Sequence, residues 1–107
     1  MKQMSKAQFL FKNKMEYTTI PKEYLRDKNL SIKAKGLLTI IYSLPDEWEY
    51  SIKGLAKTAN LTEKTLSNIL REIIEEGYIW RDQLKDSRGR FYYTYLVHYE
   101  KIKKEWL

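Results

Sequence analysis

The chain has 107 residues, 20 Lys and Arg against 14 Asp and Glu for a net charge of +6, 43% apolar residues and no cysteine. These figures describe one domain with one modest core, and they exclude disulfides and thiolate chemistry. A reducing setting fits best, no apolar run reaches the length of a membrane span, and MKQMSKAQFLFKNK lacks the apolar centre of a signal peptide, so a cytoplasmic protein without a membrane partner is expected.

The positive charge is unevenly placed. Residues 1–14 hold four lysines and no acid, residues 77–99 hold four bases against two acids, and the central residues 51–76 balance at four against four. A basic surplus at both ends of a neutral centre favours a polyanionic partner such as nucleic acid.

Residues 1–16 form a basic N-terminal arm. Its Lys2, Lys6, Lys12 and Lys14 could lie along a polyanion or simply solubilise a terminus. Residues 17–20 are β-prone and have room for a short N-terminal strand, and Pro21 suits the first turn of a brief helix through Leu25. A longer helix starts with Ser31 as N-cap and runs to Ser43, with Ala34, Leu37, Leu38 and Ile41 on one face. Pro45 ends it, and PDEWE makes a polar turn from which Trp48 is expected to fold back over the core.

A second core helix follows Ser51 as N-cap and ends near Ala59, with Tyr50 and Leu55 spaced as a hydrophobic staple. A third has Thr62 as N-cap, and Leu61 with Leu66 repeats that spacing. It carries Leu66, Ile69, Leu70, Ile73 and Ile74 inward and stops at Gly77, where a left-handed residue is wanted. From Tyr78 the period becomes that of strands. YIWRDQLK and RFYYTYLVHY flank DSRG, which suits a type I turn with a glycine bulge. KIKKEWL either extends the strand or forms a fraying helix.

The fold class is therefore mainly α with a β-hairpin: a winged helix-turn-helix of three core helices plus a wing, over residues 17–99, with a C-terminal extension over 100–107. The corner is the discriminating feature. Ala56 is the small residue that lets the next helix approach, Asn60 falls at the turn four residues later, and Leu66 lies six beyond that. Asn tolerates positive φ better than any residue but Gly.

With the apolar positions inward, the third helix shows Glu63, Lys64, Thr65, Ser67, Asn68 and Arg71 on its outer face. Asn can pair with adenine and Arg with guanine in the major groove. The same residues would equally make an ordinary solvated face. Four glutamates, Glu63, Glu72, Glu75 and Glu76, limit where a phosphate backbone could lie. Lys85, Arg88 and Arg90 surround the hairpin tip and suit a phosphate or minor-groove contact, or simply a soluble turn. Tyr92, Tyr93 and Tyr95 could stack on bases, but alternating strand aromatics serve core and cross-strand packing more often. The candidate DNA-contacting set is Thr62, Lys64, Thr65, Ser67, Asn68, Arg71, Lys85, Arg88 and Arg90.

The run LSIKAKGLL over residues 30–38, SLPDEWE over 43–49 and EEGYI over 75–79 resemble the winged-helix domain of replication-initiation proteins from phages and plasmids of Gram-positive bacteria. That group is related to the N-terminal domain of the DnaD primosomal protein, and with the hairpin the resemblance covers about three quarters of the chain. It implies DNA binding through the third helix and wing, and self-association as a dimer. The reading face falls on Lys64, Thr65, Ser67, Asn68 and Arg71, and the wing contacts fall on Arg88 and Arg90. Longer members carry a further domain, whereas this chain ends soon after the hairpin. The expectation is a short stand-alone member or a small transcriptional regulator.

Two classes of function compete. One is a sequence-specific binder of double-stranded DNA, a homodimer with a replication or transcription protein as a further partner. The other is an interaction module whose apolar hairpin and Trp106 bind protein rather than DNA. Catalysis has no support. His98 is the single histidine, and no metal-ligand spacing, nucleophile elbow or phosphate-binding glycine loop occurs. No cofactor or metal is expected.

Overall fold

The computed structural model describes residues 16–45 and 51–102. Within them the chain forms α1 (Lys22–Arg26), α2 (Ile32–Ser43), α3 (Ile52–Ala59), α4 (Glu63–Glu75), β1 (Ile79–Lys85) and β2 (Phe91–Val97). Helices α2, α3 and α4 are the three core helices the sequence predicts, and α1 is the brief one. Trp48 and Tyr50 lie outside the described residues, as does the basic arm before residue 16.

Each core helix begins as its composition dictates. The side chains of Ser31, Ser51 and Thr62 accept the backbone N–H of Ala34, Gly54 and Thr65 at 3.1, 3.0 and 3.1 Å. Each thereby satisfies one of the N–H groups a helix start leaves without a partner. Pro21 stands one position earlier than its sequence suggests, as the N-cap of α1 with extended angles (φ −70°, ψ 143°). Residues 17–20 are not a strand. They pair with neither β1 nor β2, Tyr17 is 91% exposed, and Ile20 packs on the helical core instead. A β-prone run without a partner ladder gains nothing from its propensity.

The core joins Ala34, Leu37, Leu38 and Ile41 of α2, Leu55 and Ala56 of α3, and Leu66, Ile69, Leu70 and Ile73 of α4. Tyr24, Leu30, Tyr78 and Ile79 close it. Among the described residues no polar or charged residue is buried, and no helix is long and apolar enough to cross a membrane.

Helix α4 ends in a Schellman motif: the Tyr78 N–H reaches the Ile73 carbonyl at 3.2 Å and the Gly77 N–H reaches Ile74 at 3.0 Å. Gly77 has φ +88°, and a Cβ there would run into the Ile102 carbonyl. Glycine is needed on both counts. The hairpin follows at once, antiparallel, with Ile79 opposite Val97 and Lys85 opposite Phe91. Its turn is the predicted one: the Gly89 N–H bonds the Asp86 carbonyl at 3.0 Å, and Gly89 has φ +80°.

The hairpin departs from expectation in its packing. Ile79 is buried, and Tyr95 and Val97 pack against the core, but Phe91, Tyr92, Tyr93 and Leu96 are 47–66% exposed. Tyr92 and Leu96 lie on the face turned away from the helices, and Phe91 and Tyr93 lie on the core-facing side but further towards the tip than the residues that pack on the core.

Residues 98–102 after β2 are neither strand nor helix, and the rest of KIKKEWL, with Trp106, lies outside the described residues. The Ile102 N–H bonds the Gly77 carbonyl at 2.9 Å, and the Lys101 ammonium lies 2.9 Å from both Asp27 Oδ2 and Glu76 Oε2. The Tyr78 hydroxyl donates to the same Asp27 oxygen at 2.6 Å. Around them Tyr24 stacks on Tyr42 (5.7 Å between centroids), Tyr42 stacks on Tyr99 (6.0 Å), and Tyr78 meets Tyr24 edge-on. Burial, with Tyr24 and Tyr99 alongside, pushes the Tyr42 hydroxyl up to about 12.

Burial acts to raise the Asp27 pKa, but bonds from Tyr78, Lys101 and the Asn29 N–H outweigh it and hold the carboxyl at about 2, below the ordinary 3.8. A carboxyl with a depressed folded pKa adds stability above its unfolded value and loses it as pH falls through the folded one. Asp27→Asn should therefore cost about 1–2 kcal/mol at pH 7. That deficit should shrink as pH falls from 3.8 to about 2. Urea unfolding across that range checks it, and a deficit that stays constant would show that the carboxylate charge is not the source.

Candidate nucleic-acid interface

Asn60 turns the chain between α3 and α4 at φ 57° and ψ 47°, the one non-glycine residue with positive φ among those described. Its N–H bonds the Lys57 carbonyl at 3.2 Å, and the Leu61 N–H bonds Ala56 at 2.8 Å. This is a second Schellman closure, with Asn in the glycine position. Ala56 is 3% exposed and Leu66 fully buried, so the small residue, the left-handed corner and the closing apolar residue all stand where the sequence puts them.

That corner presents the outer face of α4. Thr62, Lys64, Thr65, Ser67, Asn68 and Arg71 are all exposed. Two of them are engaged with each other, since the Thr62 hydroxyl accepts the Thr65 N–H and donates to Thr65 Oγ1 at 3.0 Å. The side chains of Lys64, Ser67, Asn68 and Arg71 have no hydrogen-bond or ion-pair partner among the described residues.

The glutamates of α4 obstruct this face less than the sequence suggests. Glu72 accepts the Ser31 N–H at 2.7 Å and the Ser31 hydroxyl at 2.8 Å, which ties it to the start of α2. Glu76 is paired with Lys101. Glu63 lies in the first turn, where a carboxylate complements the helix dipole.

The wing cations are not equivalent. Asp86 accepts the N–H of Arg88 at 2.9 Å and of Arg90 at 2.8 Å, and its Oδ2 lies 3.0 Å from Arg90 Nε. The Arg90 N–H, followed by the Arg88 N–H and the Arg90 guanidinium, holds the Asp86 carboxyl below its ordinary value even though burial opposes them. Arg90 is thus partly neutralised in place, while the Arg88 side chain is exposed without an ion-pair partner among the described residues. Lys85 rests over the Phe91 ring at 5.4 Å.

One cation was not legible as a candidate from the sequence. Arg81 lies over the Tyr93 ring at 4.8 Å and lines a cleft of about 270 Å³ between α4 and the hairpin, together with Ser67, Arg71 and Tyr93. Strand alternation counted from Ile79 was the signal that could have found it.

Three core helices, a left-handed corner between the last two and a hairpin packed on the third define a winged helix-turn-helix protein. Residues 28–79, from the approach to α2 to the start of β1, match the model of a family described as a helix-turn-helix domain. The match points to DNA binding, with double-stranded DNA as the partner. No curated protein and no solved structure matches the chain.

The corner yields its own test. Asn60→Gly should leave stability within about 0.5 kcal/mol of wild type, whereas Asn60→Ala should lose about 1 kcal/mol, because Ala accepts the left-handed region less readily than Asn or Gly. Equal losses in urea titration would mean that the backbone conformation is not what fixes the corner.

Proposed function

We propose that the protein is a sequence-specific double-stranded DNA-binding protein with no chemistry of its own, a replication initiator-like protein or transcriptional regulator of a phage, plasmid or other mobile element, acting in the cytoplasm. One observation carries this reading. Helix α4 exposes Lys64, Ser67, Asn68 and Arg71, whose side chains have no partners among the described residues, beside a basic hairpin. In this reading α4 enters the major groove, Asn68 and Arg71 address base edges, and Lys64 meets a phosphate. Thr62 and Thr65 serve by fixing the start of the helix. The protein acts as a homodimer, two α4 helices addressing half-sites about one helical turn (34–36 Å) apart. A replication or transcription protein is its further partner.

A second reading, an interaction module that does not read DNA, is favoured by the outer face of the hairpin. Trp80, Leu84, Tyr92 and Leu96 are 38–54% exposed there, side by side in the register.

Selection from a duplex pool followed by anisotropy titration separates the two. On the selected sequence, Asn68→Ala and Arg71→Ala should each lose about 1–3 kcal/mol and relax the preference at one base position. If both variants bound it like wild type, α4 would not be the reading helix. Sedimentation velocity should give twice the 13.0 kDa chain mass at micromolar concentration, and a monomer on the selected DNA would remove the dimer from this reading.

A further inference from the structure

We propose that the phosphate track of this protein runs along the inner face of the wing rather than over its tip. Arg81 and Lys85, each braced by an aromatic ring of β2, meet backbone phosphates of the duplex whose bases α4 addresses. The inference rests on the reading of α4 given above.

The antiparallel register divides the hairpin into two faces. Ile79, Arg81, Gln83 and Lys85 share one with Phe91, Tyr93, Tyr95 and Val97. The burial of Ile79 and the packing of Tyr95 and Val97 on the core identify this as the face turned towards the helices. None of its residues is acidic. The one acid within β1, Asp82, points to the opposite face, where the Trp80 indole N–H donates to it at 2.6 Å. The acid of the tip, Asp86, is occupied by Arg90.

The cations on the inner face are held differently from those at the tip. Arg81 sits 4.8 Å over Tyr93 and Lys85 sits 5.4 Å over Phe91, and neither has a carboxylate partner among the described residues. A ring below a guanidinium takes its flat side and leaves its N–H edge free, which is the edge that grips a phosphate bidentately. The ring also restricts the long side chain before binding, so less freedom is lost on contact. Arg81 shares its cleft with Arg71 and Ser67, which continues the line from β1 onto α4. Arg81 and Lys85 stand four steps apart along the strand, about 13 Å, enough to follow one DNA strand past more than one phosphate. Because Tyr93 and Phe91 each have one face covered by a cation, the rings are better suited to bracing charge than to stacking on bases.

The test is the salt dependence of binding to the selected duplex, by anisotropy, in the full chain. Arg81→Gln and Lys85→Gln should each lower the slope of log Kd against log salt by about one, weakening all sequences alike and keeping the base preference. Arg90→Gln should leave the slope unchanged. Tyr93→Leu removes no charge and should weaken binding several-fold, and Tyr93→Phe should restore it. All these side chains are exposed, and thermal unfolding of each variant should match wild type. A wild-type slope for Arg81→Gln and Lys85→Gln, with Arg71→Ala still weakening binding, would overturn the track and leave the reading of α4 standing. A reduced slope for Arg90→Gln alone would return the contact to the tip. Preference for oligo-dT over duplex would make the rings a base-stacking surface and also overturn the proposal. Absence of wild-type binding to any duplex would remove the reading of α4 itself.

Discussion

Asn60 holds its backbone in the left-handed region, and the direction of α4 follows from that residue. The two bonds that close the corner, to Ala56 and Lys57, leave the next residue, Leu61, to pack against the core and Thr62 to cap the following helix. A corner residue confined to the right-handed region would continue α3 and carry Leu66, Ile69 and Ile73 off the core. The outer face of α4, the cleft beside it and the placing of the wing all depend on this turn. The arrangement is local, because every group that makes it lies within ten residues.

Charge in this molecule divides into groups used to build the fold and groups left facing solvent. Glu72 secures the start of α2, Glu76 and Asp27 hold Lys101, and Asp86 shapes the wing turn and offsets Arg90. Each of these acids is turned inward or along the chain. Among the described residues the cations of α4 and of the inner wing face are not paired in this way, so the surface they share is more basic than the sequence balance of that region suggests. A net charge of +6 is modest, and its effect depends on which carboxylates are already satisfied by the fold.

The last described residues act as a strap. Ile102 bonds the carbonyl of the glycine that ends α4, and Lys101 joins an acid from the loop after α1 to one at the end of α4. Gly77 is therefore constrained twice, by its own positive φ and by the close passage of Ile102. The tyrosines around this point, Tyr24, Tyr42, Tyr78 and Tyr99, fill the space that short helices leave open. This face lies on the far end of α4 from its unpartnered polar residues, which separates the part that holds the domain together from the part proposed to bind.

The sequence by itself determined the elements whose causes are local. Ser31, Ser51 and Thr62 start helices because a side-chain oxygen three residues ahead of a free N–H is a property of the chain alone. Asn60, Gly77 and Gly89 mark turns because few residues accept positive φ. The apolar period of α4 likewise fixed which of its residues face out, and so which are candidates for contact. Only the tertiary structure decided what depends on distant neighbours. Residues 17–20 are not a strand because no ladder reaches them, and Trp80 and Tyr92 are exposed because the register turns them to the face away from the helices. Arg90 is offset while Arg81 has no acid partner among the described residues, and that difference arises from the register of β1 on β2 and the fold of the wing turn. Composition counts both as one positive charge; pairing, which is geometric, makes them different.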